Sequence, residues 1–235
     1  MKTLNLPYLR LVGRRGRIKI YLVDGAYVRT NLDEEFTNFG QHYRFACILK
    51  NEFWIDHESS PDERRFFIDH LLVEWKLMKA GMSYDKAIDL ADIKERSERF
   101  RSRDLAKVES KSGLPDPSKV HLKILTHAGP FTVYLVDGRL VRSNFDINFT
   151  EGGHDLVYTY VPENEVWLDN DLSASELSFV LLHELFERSL MAKGLTYNQA
   201  HRHASKLEWR SRHHSVLLIS SLKKLNCTSL DFVKS

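Results

Sequence analysis

Displacing the sequence by 113 residues against itself brings two copies of one pattern into register, and this repeat limits the possible folds more than any other feature. The string YLVDG at 21–25 recurs at 134–138. Arg29, Asn31, Asp33, Phe36, Thr37 and Gly40 meet Arg142, Asn144, Asp146, Phe149, Thr150 and Gly153. Further on, His70, Glu74, Met78, Gly81, Tyr84 and Glu95 meet His183, Glu187, Met191, Gly194, Tyr197 and Glu208. Roughly 30 of about 79 positions are identical without a gap, which marks an internal duplication. Two similar units are therefore expected, at residues 1–106 and 120–235. Between them, residues 107–119 read as a linker, because Ser, Gly and two prolines interrupt any regular element.

Each copy has the same layout. An alternating apolar strand at 17–23, or 130–136, leads into Asp24-Gly25 or Asp137-Gly138, a strong hairpin signal. A second hairpin is expected from 43–49 with 52–56, and from 155–161 with 165–169. Ser60-Pro-x-Glu63 and Ser173-x-x-Glu176 read as capping boxes opening a helix. Gly81 and Gly194 suit that helix's C-terminal end, and Thr196-x-x-Gln199 caps the next helix. The fold class is α+β, a tandem duplication in which each unit is a small antiparallel sheet followed by a helical hairpin. One more helix is expected over 213–225.

The second copy carries the chemistry. His183 and Glu187 are four residues apart, one above the other on a helix face shared with Phe179, Val180 and Leu190. Such a face points inward, where unpaired polar groups are costly, and a metal ion would satisfy both. Glu184 lies about 100° around the helix, in reach of a water on the same ion. His201 on the following helix, in line with Ala204 and Glu208, is the expected third ligand. A buried His–Glu pair without metal explains the same spacing, and that reading stays open. Glu208 is read as a ligand, as an orienter of a histidine, or as a plain helix–helix hydrogen bond. Asp169 is read as a turn or cap residue because Asp56 matches it. His154, in the string EGGH, could reach the site from a loop. The first copy has Leu71, Ile88 and Gln41 where the second has Glu184, His201 and His154, so it reads as a degenerate partner.

His183-Glu184-Leu-Phe-Glu187 resembles the zincin helix motif H-E-x-x-H, in which two histidines bind zinc and the glutamate is the general base. The resemblance implies His183 and Glu187 as ligands, Glu184 as base, and a later ligand on a second helix. Glu187 replaces the second histidine, which adds negative charge and admits Mn or Fe(II) beside Zn. The wider pattern HELFER…AH-x-x-A…E is also similar to a class of small bacterial and phage proteins. That likeness covers the second unit, with a weaker echo in the first, and implies no particular activity.

A formal net charge of +2 gives no strong pull toward polyanions. The basic stretches at 10–19 and 94–103 read as solvated faces with local ion pairs, so nucleic acid is not expected as a partner. Cys47 and Cys227 are far apart and suggest neither a disulfide framework nor a thiolate site. No apolar run reaches membrane-spanning length and no signal-type core opens the chain, so a cytoplasmic protein without a membrane partner is expected. The functional expectation is a metal-dependent hydrolase acting on a peptide or other amide bond. His183, Glu187 and His201 would hold a divalent ion, Zn first and Mn or Fe(II) next, with Glu184 as base. The alternative is a non-catalytic duplicated binding protein, an accessory of phage or mobile-element origin, whose His–Glu pairs are structural.

Overall fold

The computed structural model describes residues 6–102, 104–110, 113–227 and 229. The chain divides into two compact units between Ser102 and Arg103. In the first, strands β1 (Tyr8–Arg15) and β2 (Ile18–Val23) precede a short helix, α1 (Gly25–Asn31). Strands β3 (Phe39–Gln41) and β4 (Glu52–Asp56) follow, then helices α2 (Arg64–Lys79) and α3 (Tyr84–Phe100). In the second unit, helix α4 (Leu105–Val108) and a 3-10 turn (Pro117–Val120) come before the repeat. The repeat then gives β5 (His121–Ala128), β6 (Phe131–Val136), α5 (Gly138–Asn144), β7 (Gly152–His154) and β8 (Glu165–Asp169). Helices α6 (Ala174–Met191), α7 (Tyr197–His213) and α8 (Ser215–Lys224) complete it.

The duplicated α+β architecture is as expected, with two corrections to the strands and one to the turns. Each sheet is mixed rather than wholly antiparallel. Its order is β1-β2-β4-β3 in one unit and β5-β6-β8-β7 in the other, and the two central strands run parallel. The Asp-Gly pairs start helices, not hairpin turns. Asp24 and Asp137 each accept a hydrogen bond from the backbone N–H three residues on, which is N-capping geometry. The glycine is needed for close approach. A Cβ on Gly25 would lie 1.7 Å from Asp56 Oδ2, and one on Gly138 would lie 2.1 Å from Asp169 Oδ2. Those carboxylates sit there because each is paired with a buried arginine, Arg29 or Arg142, from the helix just begun.

The second correction concerns 43–49 and 155–161, which are turns rather than strands. Their aromatics fold back onto the sheet instead of alternating across it. Phe45 packs on Gly40 and Tyr158 on Gly153, where a Cβ would come within 2.5 Å of either ring. Asn51 and Asn164 then take φ of 63° and 65°, a left-handed turn that asparagine tolerates, and lead into β4 and β8.

Both faces of each sheet are covered. In the first unit Ile20, Leu22, Phe53 and Ile55 meet Phe67 and Leu71 of α2 on one face. Val23 and Trp54 meet Val28, Phe36 and Phe45 on the other. The second unit repeats this, with Leu181 and Leu185 on one side and Val141, Phe149 and Trp167 on the other. The segment read as a linker belongs to the second unit. Val108 and Val120 are fully buried in its core, and Asp104 binds Arg139 of α5. Those two apolar side chains hold it down, whatever its prolines suggest; residues 111 and 112 lie outside the described residues. The expected final helix is α8, separated from α7 by a break at His214, with Leu222 buried in the core.

Gly138→Ala should lower the unfolding free energy by about 3 kcal/mol, because the added methyl displaces a buried carboxylate–arginine pair. Asp137→Ala, which removes only a cap, should cost about 1 kcal/mol. Urea unfolding of the two variants checks the order; equal costs would contradict the close-approach role of the glycine.

Candidate functional site

Helices α6 and α7 pack as a hairpin whose facing sides carry a chain of buried polar groups. Gly194, at φ 96°, makes the turn between them, and the expected Thr196–Gln199 capping box starts α7. The other two expected capping boxes do not form. Glu176 is buried and accepts from Arg212 at 2.8 Å, and Glu63 accepts from Arg99 at 2.7 Å. Each arginine also binds the next acid, Glu208 or Glu95, and lies over a phenylalanine ring, Phe179 or Phe66, at 4.5–4.6 Å. Glu208 Oε2 is 2.8 Å from His183 Nδ1, and Glu95 Oε2 is 2.9 Å from His70 Nδ1. One Glu–Arg–Glu–His chain thus recurs in both units.

Beyond the histidine the two units part. A carboxylate only accepts, so the Nδ1 proton of His183 goes to Glu208, and Nε2 is the nitrogen that faces the rest of the cluster. Nε2 faces His201 Nδ1 at 3.1 Å and Glu187 Oε2 at 3.6 Å, while His201 Nδ1 and Glu187 Oε2 are 2.9 Å apart. Three ligand atoms therefore form a triangle with sides of 2.9, 3.1 and 3.6 Å. Bonds of 2.0–2.1 Å to a tetrahedral ion put neighbouring ligand atoms about 3.3 Å apart, so the triangle fits Zn or a similar cation. A carboxylate holding the far nitrogen of a ligand histidine is the usual support of such a site. His201 is 32% exposed at its side chain, which gives access from solvent, and Tyr197 stacks on it at 5.4 Å.

Glu184, His154 and Glu187 bring ligand atoms within 4.8 Å of one another, so Glu184 stands beside the triangle. The structure draws His154 in more firmly than the sequence suggested. Its Nδ1 accepts from the Leu156 backbone N–H, which leaves the ring proton of the neutral form on Nε2 to donate to Glu187 Oε1 at 3.1 Å. His154 therefore holds Glu187 in place rather than offering a lone pair. In the first unit Gln41 does the same, its amide donating to Glu74 at 2.6 Å.

The first unit closes what the second leaves open. Gly152 lies against Glu184, where a Cβ would meet its Cγ and Oε1 at 3.0 Å. The matching residues are Phe39 and Leu71. Phe39 stacks on Phe67 at 4.6 Å and sits edge-on to His70 at 5.1 Å, filling that corner with rings. Asp169 is bound to Arg142 and to the N–H of Asp171, so it is a turn residue outside the site. His203 is exposed on the far side of α7.

The charges follow from these contacts. Burial alone would lower His183, but its bonds to Glu187 and Glu208 hold it well above the imidazole range. Burial raises Glu208, and His183 and Arg212 overcome this to bring it down to about 2. Glu187 is likewise lowered against its burial by the three histidines. Glu184 goes the other way: burial, reinforced by the Glu187 charge, pushes it up to about 7. A carboxyl poised near neutrality beside three ligand atoms can accept and return a proton.

The sequence placed His183, Glu184, Glu187 and His201, and the structure brings all four together. It missed Glu176 and Arg212. Their signal was the identity of Glu63 with Glu176 and of Arg99 with Arg212 at the same 113-residue offset. Comparison of the chain with models of protein families, with curated proteins and with solved structures gives no match. No helix among the described residues is long and apolar enough to cross a membrane.

His70 yields a pH prediction. Burial lowers it, but Glu74 and Glu95 raise it from 6.5 to about 9, and Asp92 lies 3.6 Å away. The Glu95 bond carries more of this, because Nε2 stands 3.4 Å from Glu74 without bonding geometry. A pKa raised on folding gives stability that is complete below pH 6.5 and disappears as pH rises through about 9. The first unit should lose on the order of 3 kcal/mol across that range. Hydrogen exchange of the α2 and α3 amides should show it, and His70→Gln should flatten the profile.

Proposed function

We propose that the second unit is a metal-dependent hydrolase, with a peptide or other amide as its substrate class. The observation that carries this reading is the convergence of His183 Nε2, His201 Nδ1 and Glu187 Oε2, with His183 backed by Glu208. Two histidines and a carboxylate suit Zn, with Mn or Fe(II) as the alternatives. A divalent ion held there would polarise a carbonyl and make water a stronger acid. Glu184 is the base that takes the water proton and passes it to the leaving group. Glu208 keeps His183 in the liganding tautomer, and His154 keeps Glu187 turned toward the triangle. The choice of an amide rests on the zincin resemblance of His183-Glu184-Leu-Phe-Glu187. The cytoplasm is the proposed setting, in keeping with the unpaired Cys47 and Cys227.

One observation favours a second reading. The first unit keeps the whole Glu63–Arg99–Glu95–His70 chain without counterparts of Glu184 and His201. That chain is therefore useful to the fold alone, and a non-catalytic binding protein, in the likeness of phage accessory proteins, would retain it.

Metal analysis separates the two. The protein should hold close to one divalent ion per chain, lost in His183→Ala and His201→Ala and kept in Glu184→Gln. Glu208→Ala should weaken metal affinity about 10- to 100-fold. With an amide substrate in hand, Glu184→Gln should cost about 10²- to 10⁴-fold in rate. A folded wild type that takes up no Zn, Mn or Fe(II) would rule the hydrolase out.

A further inference from the structure

The first unit has a cavity of about 760 Å³ on the side of α2 away from His70 and Glu74. Arg15, Arg17, Lys50, Lys76 and Lys79 line it, and no carboxylate does. Such a volume suits a small ligand, and five cations with no carboxylate among the lining residues suit a polyanion, Asp69 acting on Arg15 from outside the lining. The remaining walls mix aromatic side chains with aliphatic ones, Ile18 and Leu72. Trp75 and Tyr43 contribute their rings, and Lys79 lies over the Trp75 ring at 4.7 Å, so charge and ring face meet at one place. Two buried polar atoms of the lining residues, Trp75 Nε1 and His42 Nδ1, have no hydrogen-bond partner. Each is costly when left unpaired, by about 1–3 kcal/mol. Burial and the nearby Lys50 hold His42 below the imidazole range, so its ring is offered uncharged.

The duplication supplies a control within the same chain. The positions matching Arg15, Arg17, Lys50, Lys76 and Lys79 are Ala128, Pro130, Glu163, Ser189 and Ala192. All five cations are gone. His42 and Trp75 become Asp155 and Arg188, which satisfy each other in a two-bond pair at 2.5 and 2.7 Å. Helix α8 contributes Leu217, Ser221 and Lys224 to the corresponding hollow beside Arg188, Ser189 and Ala192. The shared fold therefore requires neither the cations nor the unpaired ring nitrogens of the first unit.

We propose that this cavity binds a nucleoside phosphate, with the cations on the phosphates and the rings against the base. Stacking on Trp75 and Tyr43 distinguishes such a ligand from a bare phosphate. The same chemistry is presented by a free nucleotide and by one residue of a single strand. The site is separate from the metal triangle and stands or falls without it.

Calorimetric titration of the whole chain with ATP, with pyrophosphate and with a short oligothymidylate, in metal-free low-salt buffer, tests the proposal. ATP or the oligonucleotide should bind, more tightly than pyrophosphate and with an affinity that falls as salt rises. Tighter binding of ATP identifies a free nucleotide as the ligand, and tighter binding of the oligonucleotide identifies a single strand. The triple variant K50E/K76S/K79A, which installs the second unit's residues at three exposed positions, should weaken binding at least about tenfold and flatten its salt dependence. Trp75→Leu should weaken ATP binding and leave pyrophosphate unchanged. Circular dichroism confirms that each variant is folded. No binding of either nucleotide, equal affinity for ATP and pyrophosphate, or an unaltered triple variant would overturn the proposal.

Discussion

The helical hairpin in each unit depends on one buried ion chain, Glu–Arg–Glu–His, running between its two helices. In the second unit it passes from Glu176 through Arg212 and Glu208 to His183. Buried ions are expensive to desolvate, and removing one partner leaves the others uncompensated. The chain avoids that because every link has two partners. Arg212 binds two carboxylates and a ring face, Glu208 binds Arg212 and His183, and His183 turns its other nitrogen to Glu187. Such an arrangement fixes the rotation of α7 on α6 more tightly than apolar packing would. It consequently decides which residues of α7 face His183, and one of these is His201.

The acids around this chain differ between the copies in place, not in number. In the first unit four carboxylates, Glu63, Glu74, Glu95 and Asp92, surround Arg99 and a protonated His70. The second unit has Ser205 where Asp92 stands and Glu184 where Leu71 stands, so four carboxylates again face Arg212 and His183. It also adds His201 and His154, each with one ring nitrogen on Glu187. The second unit thus differs in gathering three imidazoles around Glu187, the set proposed above to take a cation. Glu184 can shed its own charge, being pushed up to about 7, but Glu187 cannot, since three histidines hold it ionised. This asymmetry between adjacent acids is what the proposed division into ligand and base requires.

How much of this was legible in the sequence depends on what kind of signal each residue left. The repeat was plain, because identity at a fixed offset needs no model of structure, and it carried the two-unit fold. His183, Glu187 and His201 were readable because helical spacing alone puts them on facing sides of a hairpin. Asp24-Gly25 misled because its letters have two meanings. Glycine serves a turn by taking φ above zero, and it serves a close contact by lacking a Cβ; only the position of Asp56, some thirty residues away, decides between them. The Ser-x-x-Glu strings misled for the same reason, since Glu63 and Glu176 are claimed by arginines on the following helix before they can reach back to a cap. The parallel pairing of β2 with β4 left no local trace, because both are apolar runs that either pairing direction would produce.

Divergence of the copies follows a rule set by the cost of buried polarity. Losing a polar group together with its partners avoids leaving orphans, which cost about 1–3 kcal/mol each, although the first unit still bears one at His70 Nε2. The first unit accordingly carries Leu71 and Ile88 together, with Phe39 stacked in the corner where Gly152 faces Glu184. The second unit treats the other cavity the same way. Its five cations are absent as a set, and the one charge that replaces Trp75 arrives with its own counter-ion, Asp155 on Arg188. Complete replacement in both directions indicates that each position set acts as a unit. Where the polar set is whole, as with His183, Glu184, Glu187 and His201, its members lie against one another, and the proposed function rests on that arrangement.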